Sequence, residues 1–351
     1  MPSDLVRPIA PPMLIDDIYS EDQYRRLVEV ARSKGPWELT LRQFYSSPEG
    51  IADTTLGKDL KDAAPAWEDF LLPYFTGYLA KGGVCLYPEI EDTFLNRKFL
   101  DFGRRYWNAE YARPENMIFN INGPTNNFDG GHLDGAEFRG LNLKNTPNWL
   151  LNSMIRSDLF KKWQMKKAQV IAWFYRGSVG GGFTYWPKGP HATPERIAAP
   201  VWNRGIVAEV ERMYHRGEAN GPLEQRQTKG LTIDSRFGSD PDTVDGWQIT
   251  TDGEVIQKIS AREMRMLVHW RADIFTDLTE LKQVVDHTDD LTHDQVIDTF
   301  IKDIRNRGRA FETPSDPLHD RDFMHLLTEV YDPGLPSIYP AEAPGPQQKA
   351  A

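Results

Sequence analysis

The sequence predicts a mainly β fold with helices packed on its outside, and three observations carry that prediction. Strand patterns crowd the middle of the 351-residue chain. Capped helices flank that region on either side. No βαβ alternation appears, so a parallel, doubly wound sheet is excluded and an antiparallel sandwich or barrel is left.

Residues 1–12 form a Pro-bearing lead-in, and residues 13–19 read as a short strand. Ser20 and Gln23 then make a capping box. Behind them Tyr24, Leu27, Val28 and Ala31 fall on one helical face. Residues 37–60 carry no clear period. The aromatic and aliphatic run at 66–80 predicts a buried helix bent or restarted at Pro73. A second helix is expected to end before Pro114. Residues 117–122 alternate as a strand, with Met117, Phe119 and Ile121 on one face, and run into a loop rich in Gly, Pro and Asn.

Thr146 and Pro147 suit an N-cap and a first helical residue, which predicts a helix over 147–163. Strands follow at 170–175, 182–186, 205–210 and 231–233. Residues 247–250 and 255–259, joined through Asp252-Gly253, read as a hairpin. One more strand is expected over 264–275. Thr292 and Gln295 make a second capping box, opening a helix that runs through Ile304. The Pro- and Ala-bearing tail from Pro333 is expected to be disordered. This divides the chain into a core with N-terminal and inserted helices (13–240), a C-terminal hairpin and helical extension packed on it (241–332), and a tail (333–351).

Bulk composition narrows the function. The sequence is 40% hydrophobic and 26% charged, with no apolar run of membrane-spanning length. The net charge of −10 and the lack of a basic stripe argue against nucleic acid or a membrane as partner. A single cysteine, Cys85, excludes an intramolecular disulfide and any multi-cysteine metal site, and its apolar neighbours predict a buried, inert thiol. The N-terminus lacks a signal-peptide pattern, so a cytoplasmic location is expected. The ten tryptophans fit a ring-lined interior as well as core packing. Trp149, Trp163, Trp173 and Trp186 are expected mostly in the core.

The chemistry centres on His132-Leu133-Asp134. In an extended segment, residues i and i+2 share a face, so both side chains can reach one metal ion. A second imidazole would complete the two-His-one-carboxylate face that holds non-haem Fe(II) with positions left open. His191, His215 and His269 are the candidates. His215 is best placed, just past the apolar run at 205–210. His191 suits a loop and His269 suits sheet packing. Arg226 lies eleven residues after His215. On a returning strand it would offer a bidentate seat to a substrate carboxylate. Arg236 follows a cleaner strand pattern and is the alternative. Asn120 and Asn122 share a strand face and are candidates for contact with a co-substrate, or for capping turns. The parity of Glu209, Glu211 and His215 requires a turn or bulge near 210–212.

The ordered set of His132-x-Asp134, the strand closing in Trp186-Pro187, His215 and Arg226 resembles the Fe(II)/2-oxoglutarate-dependent oxygenase superfamily. The opening at 13–31 resembles the phytanoyl-CoA dioxygenase-like and prolyl hydroxylase-like members. The resemblance spans about residues 13–240 and implies a double-stranded β-helix, a cupin-like jelly roll. It implies Fe(II) on His132, Asp134 and His215, with 2-oxoglutarate and O2 as co-substrates and Arg226 on the distal carboxylate. The implied reaction oxidises an unactivated C–H bond, with succinate and CO2 as products. Hydroxylation is the default, and desaturation or ring closure are variants. Asp134 argues against halogenation. The expected substrate is a small molecule such as an amino acid or natural-product intermediate. The acidic segment 271–303 is a candidate dimer contact or lid. The competing readings are a cupin-type metal enzyme that uses no 2-oxoglutarate and a non-catalytic β-barrel binding protein.

Overall fold

The structure, a computed structural model, describes residues 6–55, 65–127 and 129–341. Its strands in chain order are β1 (Met13–Asp16), β2 (Trp37–Leu39), β3 (Phe75–Lys81), β4 (Val84–Cys85), β5 (Tyr111–Asn122), β6 (Lys166–Tyr175) and β7 (Phe183–Trp186). They continue with β8 (Glu195–Ile197), β9 (Val201–Ala208), β10 (Tyr214–Gly217), β11 (Arg236–Ser239), β12 (Trp247–Thr251), β13 (Glu254–Ile259) and β14 (Arg265–Phe275).

Two antiparallel sheets face each other. The larger has 11 strands, in the order β1-β9-β6-β14-β5-β3-β2-β11-β12-β13, with β4 on β3. The smaller is β10-β7-β8, extended by a bridge from His132 to His215 on β10. The chain passes from β5 in the large sheet to His132 in the small one. It returns to β6, crosses again to β7 and β8, returns to β9, crosses to β10, and ends on β14. This back-and-forth winding is the jelly roll that the sequence predicts.

Apolar side chains separate into layers. On the outer side of the large sheet, Met117, Phe119 and Ile121 of β5 and Met266, Val268 and Trp270 of β14 are fully buried. They pack against Leu27 and Val30 of the Glu21–Ser33 helix and Phe99 and Phe102 of the Arg97–Trp107 helix. Between the sheets lie Ile171, Trp173, Phe183 and Ile206. A third cluster joins the helices Asn148–Ser157, His293–Asn306 and Arg321–Tyr331. Both capping boxes form: Ser20 with Gln23, and Thr292 with Gln295. The hairpin forms as well, with Asp252 and Gly253 both at positive φ.

Several expectations are corrected. Residues 66–80 hold a single turn at Trp67–Asp69 followed by β3. That strand is buried on both faces and therefore has no polar alternation to mark it. A helix does end before Pro114, but at Trp107, and Pro114 itself lies inside β5 at the register shift opposite Arg271 and Ala272. A bulge tolerates a residue without an N–H. The helix expected over 147–163 stops at Ser157, where Asp158 turns left-handed, and Thr146 does not cap it. Leu231 to Ile233 lie in turns before β11.

The limit placed at residue 240 cuts through the sheet, because β14 runs between β5 and β6. The tail is ordered up to residue 341: Trp186 Nε1 donates to the Ile338 carbonyl and Tyr339 Oη to that of Gly130. The rest of the expected tail, 342–351, lies outside the described residues. Cys85 is half-buried, with Sγ donating to the Tyr87 carbonyl. The acidic segment is docked, with Arg139 forking onto Asp289 at 2.7 and 2.8 Å. No helix among the described residues is long and apolar enough to cross a membrane.

Candidate metal centre

Three candidate ligands, two imidazoles and a carboxylate, converge where the small sheet meets the loop after β5. His132 and His215 exchange both backbone hydrogen bonds at 3.0 Å, and the Asp134 amide donates to the Val210 carbonyl at 3.1 Å. That short pairing sets the His-x-Asp segment in extended form, so its two side chains share a face. His132 Nε2 lies 3.6 Å and His215 Nε2 3.4 Å from Asp134 Oδ1. One ligand atom from each of the three lies within 4.8 Å of the others. Asp134 is the only carboxylate in this group.

Each imidazole is aimed by its other nitrogen. His132 Nδ1 donates to Asp129 Oδ2 at 2.5 Å, and His215 Nδ1 to the Met213 carbonyl at 3.0 Å. These bonds fix the tautomer that leaves Nε2 free to ligate. Asp129 is itself held, accepting from the Gly131 amide at 2.8 Å and donating its own amide to Asn127 Oδ1 at 2.9 Å. Gly131 has φ of 117°, and a Cβ there would meet Pro336 Cγ at 2.9 Å. Only glycine fits that turn.

Without a cation, the site's electrostatics run one way. Burial opposes ionisation of Asp134, yet hydrogen bonds from His132 and His215 hold its carboxyl well below the usual range. Burial likewise opposes a charged His132, but Asp129 and Asp134 hold that ring well above its ordinary value. The negative charge of Asp129 and Asp134 that favours a proton on His132 would equally favour a divalent ion in that proton's place.

The site lies beside the inward face of β5, β14 and β6, whose side chains line the interior between the two sheets, called the lumen below. Cross-strand pairs define its levels. Arg265 lies between Asn122 and Tyr175, and Leu267 between Asn120 and Trp173. His269 lies between Ile118 and Ile171, and Arg271 between Asn116 and Gln169. His269 feels the charge of Asp134, and burial pushes its ring down to about 4, so it is neutral near pH 7. Lys167 closes the far end, bonded to Glu115, Glu137 and Asp273 at 2.7–2.8 Å.

Arg265 is the feature that sequence spacing missed. It is 5% exposed, and its Nε donates to the Gly181 carbonyl at 2.9 Å. One terminal nitrogen has no hydrogen-bond partner. Among the described residues no carboxylate forms an ion pair with it. A cation buried in this state calls for an anionic ligand. That nitrogen points toward Gly217, two residues beyond His215 on β10, at 3.9 Å from the position a Cβ would take there.

The other site expectations fare unevenly. His132, Asp134 and His215 come together. Arg226 lies on no strand. It ends the Leu223–Gln225 turn, and its Nε donates to the Gly221 carbonyl at 2.8 Å. It stays within electrostatic reach of Tyr175, as Arg265 does. Arg236 sits on β11, distant in the sheet order, and pairs with Glu38. Asn120 and Asn122 face the lumen as expected. Asn122 is committed to Gly123 and Asn220, and Asn120 accepts from Thr76. His191 lies in a loop against Ser337. His269, expected as a packing residue, faces the lumen. The expected turn near 210–212 carries the chain from β9 to β10, closed by the Arg212 amide on the Glu209 carbonyl at 3.2 Å.

No family model and no curated protein matches the chain. Among solved structures, it is similar to a viral collagen prolyl hydroxylase from Paramecium Bursaria Chlorella virus-1, in a 2OG complex. The TM-score is 0.36 at 11% identity, over 76% of this chain and 97% of that one. An oxidoreductase of the 2OG-Fe(II) oxygenase family from Burkholderia pseudomallei is similar with a TM-score of 0.31, at 11% identity, over 74% and 93%. Both likenesses are remote, and the roles assigned below rest on the side chains of this chain.

Proposed function

We propose that this chain is a non-haem Fe(II)- and 2-oxoglutarate-dependent oxygenase acting on a small molecule. The observation that carries the reading is the convergence of His132 Nε2, Asp134 Oδ1 and His215 Nε2 beside a lumen whose wall holds an arginine with no ion pair among the described residues. Two neutral imidazoles and one carboxylate are the donor set of such iron sites, and they occupy one side of a metal only. When bound, Fe(II) with O2 and 2-oxoglutarate supplies the oxidising power for an unactivated C–H bond, with succinate and CO2 as co-products.

The protein's own residues bind and orient. Asp129 and the Met213 carbonyl fix the two imidazoles. Arg265 takes the distal carboxylate of 2-oxoglutarate, a role its planar fork performs better than a lysine would. Arg265 and the His-Asp-His face would then hold the two ends of the dicarboxylate. Ile118, Leu267 and Ile171 keep the reacting region poor in water.

Succinate release on adding Fe(II), 2-oxoglutarate and ascorbate tests the reading. Wild-type protein should form succinate even without substrate, at a slow uncoupled rate, and His215→Ala should form none. Metal-dependent turnover that consumes no 2-oxoglutarate would point instead to a cupin-type enzyme. A protein that binds neither metal nor 2-oxoglutarate would be a binding module.

A further inference from the structure

Beyond His269 the lumen holds a second set of unpartnered polar groups that the metal and 2-oxoglutarate do not use. Gln169 is fully buried, and neither end of its amide has a hydrogen-bond partner. Arg271, its cross-strand neighbour, leaves Nε and one terminal nitrogen without hydrogen bonds. Glu211, 2% exposed on the turn between β9 and β10, leaves both carboxylate oxygens without them. The nearest opposite charges stand off: Arg271 lies 3.9 Å from Glu211 and 3.9 Å from Glu137. Glu137 is already bonded to Lys167, together with Glu115 and Asp273. Glu211 is therefore the acid beside Arg271 whose carboxylate, though within ion-pair distance of that cation, makes no hydrogen bond among the described residues.

Orphaned groups buried to this degree are rare, because each leaves its desolvation uncompensated. Their agreement in direction is informative. Arg271 offers donors to an anion, and Glu211 offers acceptors to a cationic N–H group. Gln169 offers one of each. The two side chains lie side by side, and an arriving ammonium would favour the ionised form of Glu211, so a ligand answering both must carry its own anion and cation on neighbouring atoms. A carboxylate and an ammonium on one carbon meet that condition.

We propose that this end of the lumen binds the main-chain end of a free α-amino acid, its carboxylate on Arg271 and its ammonium on Glu211, with Gln169 bridging the two. The proposal rests on the lumen being the reaction site described above. Arg271 and His269 are two residues apart on β14, about 7 Å along the strand. The amino acid's side chain spans that distance toward the metal, so the oxidised carbon lies on the side chain and not at the α-position. Arg265 lies on the opposite side of His269, about 13 Å along the same strand. The two anions, co-substrate and substrate, thus have separate arginines.

Binding to oxygen-free protein loaded with Mn(II) and 2-oxoglutarate tests this without turnover. Each common α-amino acid is titrated by calorimetry, followed by the des-amino and decarboxylated analogues of any that bind. At least one amino acid should bind, and each analogue should bind ten-fold or more weakly. Glu211→Gln should bind the amino acid and its des-amino analogue equally well. Gln169→Leu should bind both more weakly than wild type. Both variants should keep wild-type affinity for Mn(II) and 2-oxoglutarate, which also shows that they are folded. If Mn(II) and 2-oxoglutarate bind but no amino acid does, the substrate class is wrong and the oxygenase reading stands. An amino acid that binds as well without its ammonium or carboxylate also overturns the proposal. If wild-type protein binds neither Mn(II) nor 2-oxoglutarate, both readings fall.

Discussion

The two faces of β14 are made of opposite materials. Outward, Met266, Val268, Trp270, Ala272 and Ile274 are all buried to 1% exposure or less and pack on helices. Inward, the same strand shows Arg265, Leu267, His269, Arg271 and Asp273. Three of these carry nitrogen atoms with no hydrogen-bond partner. One face is finished within the chain. The other leaves those atoms without a hydrogen-bond partner among the described residues. A protein that leaves so many buried polar atoms unpaired trades stability for binding, and each side of the contrast can be tested separately.

The largest expected effect is on metal content. His215→Ala removes one of three ligands and, with it, the bridge partner's imidazole but not the backbone pairing to His132. Elemental analysis should find the variant essentially metal-free while its circular dichroism matches wild type. Full metal occupancy in His215→Ala, with loss in His269→Ala, would move the ligand to β14.

On the outward face, Trp270→Ala should lower unfolding free energy by about 3–5 kcal/mol, as deletion of a fully buried ring does. It would also free the Phe94 carbonyl that now accepts from Trp270 Nε1 at 2.8 Å. Inward, Gln169→Leu should act with the opposite sign, raising the stability of ligand-free protein by about 1–3 kcal/mol, because it removes two unpaired buried polar groups. Denaturant melts measure both. A loss of stability in Gln169→Leu would mean that the lumen is a finished core.

A further effect depends on pH. Burial pushes the Glu211 carboxyl up from 4.5 to about 8, with Arg271 partly opposing. The unfolded chain then releases this proton before the folded one does, so wild-type stability falls as pH rises between those values. Glu211→Gln lacks that fall. Its advantage in ligand-free protein should grow with pH from about 5 to 8, by at most about 1.4 kcal/mol per pH unit. Parallel stability curves for the two proteins over that range would show that Glu211 ionises as freely in the folded state as in the unfolded one.

What the sequence made legible was local. His132 and Asp134 are two residues apart on one extended segment, and His215 follows an apolar run, which ranks it ahead of His191 and His269 as their partner. The capping boxes and the Asp252-Gly253 hairpin are short-range signals too. Arg265 was hidden because β11, β12 and β13 intervene between His215 and β14, placing it fifty residues downstream. A spacing argument that assumes a direct return stops at Arg226. β3 was hidden for a different reason: a strand buried on both faces has the composition of a buried helix. Asp129 could have been found from its position three residues before His132, next to the two glycines that let the loop turn back.

The central claim is that the lumen seats 2-oxoglutarate between the His-Asp-His face and Arg265. Calorimetric titration of oxygen-free, Mn(II)-loaded protein with 2-oxoglutarate tests it most directly, comparing wild type, Arg265→Ala and Arg226→Ala. Removing one partner of a buried charge pair costs about 3–5 kcal/mol, so Arg265→Ala should bind at least two orders of magnitude more weakly. Arg226→Ala should bind like wild type, and all three should hold the same amount of metal. Unchanged affinity in Arg265→Ala, with the loss appearing in Arg226→Ala, would contradict the account.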